Sequence, residues 1–228
     1  DSLMLTAEDA VALEVGDNAV AEATAGNAIT LNSSRGIRNS GDVTLTSQGS
    51  LAINATGGYG LQTTKGTVSL TAGSNEGDLL SIKATGEDSN GIFATSTDGS
   101  GTVKLSGGTV TVEGVNTGIT AMEASLLQFG TDGEIGSLTV TGGNHAMYYN
   151  STAVADVRAS NFTAKSTSDC SIDAARGTLN ITATNATVES ADSIGLNTGA
   201  DATTNINASD TVTFQAGGLA ARTFGQLN

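Results

Sequence analysis

Along this chain, short runs of alternating apolar and polar residues are separated by breaks rich in Gly, Asn, Asp and Ser. Val43 and Leu45 alternate with polar neighbours, Gly49 interrupts, and Leu51, Ile53 and Ala55 resume the alternation. The same order returns as Val68 and Leu70 followed by Leu80, Ile82 and Ala84, and again as Val103 and Leu105 followed by Val110 and Val112. Further on come Leu127 and Phe129 with Leu138 and Val140, then Val154 with Phe162 and Ala164. The last two runs are Leu179 and Ile181 with Val188, and Ile206 with Val212 and Phe214. Alternation over a few residues is the strand signal, and these side chains are the β-branched and aliphatic kinds that fit a pleated face. No segment longer than a turn keeps a helical period.

A second pattern repeats on a longer scale. A small residue followed by an apolar one recurs as Ala10-Val11, Gly36-Ile37, Gly60-Leu61, Gly91-Ile92, Gly118-Ile119, Ala146-Met147, Ser171-Ile172, Gly195-Leu196 and Gly218-Leu219. Successive anchors lie about 26 residues apart. A period of this size, with variable loops, marks a stacked-coil architecture in which no coil buries its inward face alone. The expected fold class is all-β: a right-handed parallel β-helix, or β-solenoid, with three short strands per coil and about eight coils. At roughly 4.8 Å per rung, the rod is on the order of 40 Å tall. The small residue before each anchor meets the need of a corner where backbones approach closely. No domain boundary is visible, so residues 1–228 read as a single β-solenoid segment, expected to be part of a longer chain.

Composition agrees with a narrow core. The chain has 30 Gly, no Pro and no Trp, and aromatics make up only 4%. Interior strands of a rod hydrogen-bond on both sides, which excludes Pro. The net charge of −14 argues against nucleic acid and against anionic membrane surfaces as partners. No apolar run is long enough for a membrane-spanning helix, and the opening DSLMLTAEDA lacks the features of a signal peptide. Cys170 is the lone cysteine, so no internal disulfide forms.

The stretch GDVTLTSQGSLAINATGG, residues 41–58, and the coil pattern as a whole resemble the passenger domains of bacterial autotransporters. These are right-handed β-helices of the pertactin-like or filamentous-haemagglutinin-like kind. The resemblance implies a surface-exposed adhesin or spacer on a Gram-negative outer membrane, exported through a translocator that is not in this sequence. It implies as partner a host surface protein or glycan, or another copy of the same chain. It carries over no functional residue, because those families share a shape and not a site.

Alignment by anchors places His145 and Cys170 on adjacent rungs, in a column whose other members read as a tolerant corner. The acidic pairs Glu8-Asp9, Glu87-Asp88 and Asp132 with Glu134 fall in Gly-rich turns, where solvated acids are common, and no basic residue adjoins Asp132 or Glu134 in sequence. The alternative function, a carbohydrate-active β-helix enzyme, would need convergent carboxylates in a cleft. Thr-x-Thr pairs such as Thr44-Thr46, Thr109-Thr111 and Thr139-Thr141 are assigned to different strands and are not expected to form one ladder. Neither a catalytic residue, a metal site nor a cofactor is predicted. The weak candidates for binding are the outward aromatics Phe93 and Tyr148, with Tyr149 following, since exposed rings in an aromatic-poor chain can mark a contact patch.

Overall fold

The computed structural model of the chain describes residues 1–133 and 135–228. It is a parallel β-solenoid of nine turns, one more than the eight expected, with no helix among the described residues. Each turn contributes a strand to each of three ladders. The first face stacks residues 2–7, 28–33, 50–55, 79–84, 109–114, 135–142, 161–166, 185–190 and 211–216. The second face stacks 11–15, 35–39, 59–63, 90–96, 117–123, 145–151, 172–176, 196–198 and 221–223. The third stacks 20–25, 42–47, 67–71, 102–106, 126–129, 154–159, 178–183, 203–208 and 226–227.

The core is a set of columns in which each inward side chain rests on its counterpart one rung away. On the first face one column runs Leu3, Ile29, Leu51, Leu80, Val110, Leu138, Phe162 and Ala186. From Ile29 to Ala186 its members are at most 1% exposed. Each buried aliphatic contributes about 1.5–3 kcal/mol, and stacking is what makes that burial available to strands of five or six residues. Large side chains sit where the column leaves room. Tyr149 is fully buried between Ala121 and Ala174 in the register.

The second-face anchors follow the sequence reading from Ile37 to Leu196, each aligned with the next. The two terminal anchors do not. Leu13, not Val11, pairs with Ile37, and Ala221, not Leu219, pairs with Leu196. At the first coil a bulge between Ala7 and Val11 displaces the small-then-apolar dipeptide from the ladder. Val154 is a second correction. It is 45% exposed, and Ala155 and Val157 take the inward positions. A register shift between Asn150 and Val154 inverts the phase of the alternation there.

The small residue before each anchor acts through space. Gly36, Gly60, Gly91, Gly118 and Gly195 are not at positive φ. A Cβ on Gly36 would lie 2.1 Å from the carbonyl oxygen of Gly60. The glycines are stacked backbones at a corner, and close approach is what they supply.

Candidate functional site

The outward half of the second face differs from the rest of the rod. The register stacks the residues around its inward anchors into columns, partly exposed except for Thr117 and Thr120, which are buried. One column holds Tyr59, Asn90, Thr117 and His145 on four successive rungs. The next holds Gln62, Phe93, Thr120 and Tyr148, and a third Thr95, Met122 and Asn150. None of these eleven positions carries Asp, Glu, Lys or Arg. Charges flank it: Arg35, Arg38 and Glu14 on one side, Asp173 and Arg176 on the other, and Glu123 at the end of the strand 117–123.

Within this block, Phe93 and Tyr148 are half-buried and two rungs apart in one column, a separation of about 10 Å. Thr120 lies between them and is only 6% exposed. Its hydroxyl donates to Asn90 Oδ1 at 2.9 Å. The Tyr148 ring stacks on His145 with centroids 5.6 Å apart, and Asn150 Nδ2 donates to its hydroxyl at 3.4 Å. Tyr59 is capped by the Arg35 guanidinium, 5.9 Å from the ring centroid, a cation–π contact. Of the sequence candidates, then, Phe93 and Tyr148 share one surface and Tyr149 is not on it. Tyr149 turns inward, its hydroxyl donates to the Ala153 carbonyl, and burial pushes its pKa up to about 12.

No protein-family model matches this chain, and neither does a curated protein or a solved structure.

The other candidates resolve one by one. His145 and Cys170 are neighbours as the anchors imply, but the contact runs from His145 Nδ1 to the Cys170 carbonyl oxygen at 2.9 Å, not to the thiol. The thiol is buried. Desolvation first, then Asp173 and Asp169, pushes its pKa up to about 11, the opposite of what a thiolate nucleophile requires. Glu8, Asp9, Glu87 and Asp88 are exposed at corners. Asp132 does have a basic neighbour, supplied by the preceding coil: Lys104 Nζ lies 2.8 Å from its carboxylate. Glu134 lies outside the described residues.

Asp132 also borders a groove of about 940 Å³ along the corner between the third and first faces. It is lined by Arg158, Thr182 and Asn207 together with Ala159, Ala183 and Ala208. Asp132 is the one carboxylate lining it among the described residues.

The columns also revise the reading of the threonine pairs. Thr111, Thr139, Thr163, Thr187 and Thr213 form one unbroken ladder on the first face. The reading of separate strands holds for Thr44-Thr46 on the third face. It misses Thr163 and Thr187, whose partners two residues back are Asn161 and Asn185.

Sequence reasoning named Phe93 and Tyr148 but missed Tyr59, Asn90 and Thr120 as their neighbours. The signal was present. Once anchors are aligned, the residue one after and two before each anchor fall into the two columns.

Proposed function

We propose that this chain is a non-catalytic binding rod displayed outside the cell, in the manner of an adhesin or autotransporter passenger, and that the second face is its contact surface. The observation that carries this reading is the segregation of aromatic rings. Tyr59, Phe93, His145 and Tyr148 are the outward rings of the strands from the second coil to the eighth, and all lie on one face of three. In a chain with 4% aromatics, rings placed outward forgo burial that the core could have used. An aromatic centre with a charged rim is the anatomy of a recognition surface. Partners on this reading are a host surface protein or glycan, or a second copy of the chain.

The test is attachment. Beads coated with the whole chain should bind host cells or each other, and the double substitution F93A/Y148A should reduce that attachment to background. Coated beads that attach to neither would overturn the reading. So would polysaccharide cleavage that is lost on Asp132→Asn, which would restore the enzymatic alternative.

A further inference from the structure

The second face has features that go beyond contact in general and specify a chemistry. Resting on the contact-face reading above, we propose that the strip from Phe93 to Tyr148 binds an uncharged polysaccharide chain laid along the rod axis. The two rings occupy one column, so both present to a ligand running parallel to the axis and not to one crossing it. An extended glycan meets Phe93 with one sugar and Tyr148 with another further along, and the sugar between them lies over the recessed Thr120. Sugar rings carry apolar C–H faces that pack on aromatic rings, and a platform fixed before binding loses little entropy when it is used. Tyr148 is fixed in this way by His145 and Asn150.

The hydrogen-bonding groups fit the same ligand. Carboxamides offer a donor and an acceptor together, as neighbouring sugar hydroxyls require. Gln62, Asn90 and Asn150 place three of them around the rings. Charge selects the class of glycan. The chain carries −14 overall, so a polyanion approaches against a repulsive field, and the strip itself holds no cation to offset it. A neutral chain meets neither obstacle.

The experiment is isothermal titration of the whole chain with cello-, chito- and manno-oligosaccharides of increasing length, with oligogalacturonate as the acidic comparator. A neutral series should bind with affinity that rises with length until the strip is spanned, and that is insensitive to salt. F93A and Y148A should each weaken it at least tenfold, whereas Thr163→Ala on the first face should leave it unchanged. Thermal melts of the variants confirm that each is folded. Binding of oligogalacturonate alone, or full affinity in a folded F93A/Y148A variant, overturns the proposal. If no glycan binds but F93A/Y148A still abolishes bead attachment, the glycan assignment falls and the contact face stands. If the double variant changes neither, both fall.

Discussion

The first and second faces of the rod stand on equivalent core ladders and differ in what they turn outward. The first face shows a five-rung threonine column beside cross-rung ion pairs, Lys83 with Glu113 at 3.0 Å and Lys165 with Glu189 at 2.8 Å. These are the residues a strand prefers for its own stability: a β-branched side chain on a pleated surface and opposite charges on neighbouring strands. The second face gives up the ion pairs over four rungs and carries rings and amides among its threonines. In a solenoid the inward half of each strand is dictated by stacking, so the outward half is where selection for a partner can act. A face whose outward rings and amides replace the charge pairs of its neighbour is therefore the place to look for function.

The largest expected effect separates core rings from outward rings. Phe162 is 1% exposed and rests between Leu138 and Ala186 in the register. Phe162→Ala should cost about 3–5 kcal/mol through lost burial and a cavity. Phe93→Ala should cost less than about 1 kcal/mol, as outward substitutions away from special features do. Urea unfolding of the two variants decides this. Equal losses would mean that Phe93 holds the rod together, and the contrast between the faces would dissolve.

A smaller loss is expected at the corner that leads into the second face. Gly36→Ala places a Cβ 2.1 Å from the Gly60 carbonyl oxygen and 2.3 Å from Ile53 Cγ2. Backbone must shift to admit it, at about 1–3 kcal/mol. The same exchange at Gly58, where nothing lies within 4 Å of the added carbon, should be close to neutral. A neutral Gly36→Ala in a thermal melt would show that the stacked glycines are not there for close approach.

How much of this was readable in advance depended on phase. The strand periodicity, the three strands per coil and most anchors followed from residue spacing, because stacking forces each coil to repeat its inward pattern. The phase failed where an irregular corner intervened. Val154 reads as inward because Phe162 and Ala164 do, but the shift after Asn150 moves the inward positions to Ala155 and Val157. Tyr149 looked like a surface residue because it follows Tyr148, yet alternation alone puts one of two adjacent rings inside. The register supplied what the sequence lacked, a small residue on either side, Ala121 and Ala174, that makes room for the inner one. The ring-bearing strip was half legible: its rings were named, but its uncharged character belongs to four coils at once and is invisible along a single strand.

Chemistry at the edge of the second face gives a pH-dependent test. The Cys170 pKa is raised to about 11 by burial and by Asp173 and Asp169. A thiol with a raised folded-state pKa contributes stability that is complete below its unfolded pKa of about 8.5 and is lost as pH rises through the folded value. The rod should therefore keep this contribution at neutral pH and lose it between about pH 9 and pH 11. Alkylation by iodoacetamide at neutral pH should be far slower in the native chain than in urea. Rapid native alkylation would show an accessible thiolate and reopen Cys170 as a reactive group beside His145.

The smallest expected effect tests whether the first face is merely structural. The Lys165–Glu189 pair is well formed, but its side chains are 48% and 32% exposed. Solvent and salt screen such a pair, and exposed ion pairs contribute under about 1 kcal/mol. Lys165→Ala and Glu189→Ala should each shift the unfolding midpoint slightly, with a double-mutant coupling that shrinks as salt is raised. Neither should alter attachment to cells or glycans, because the pair decorates a face that serves the rod itself. A loss of attachment with unchanged stability would transfer the contact role to the first face. There the threonine column and its flanking charges would form the recognition surface, and the rings of the second face would revert to covering Thr120.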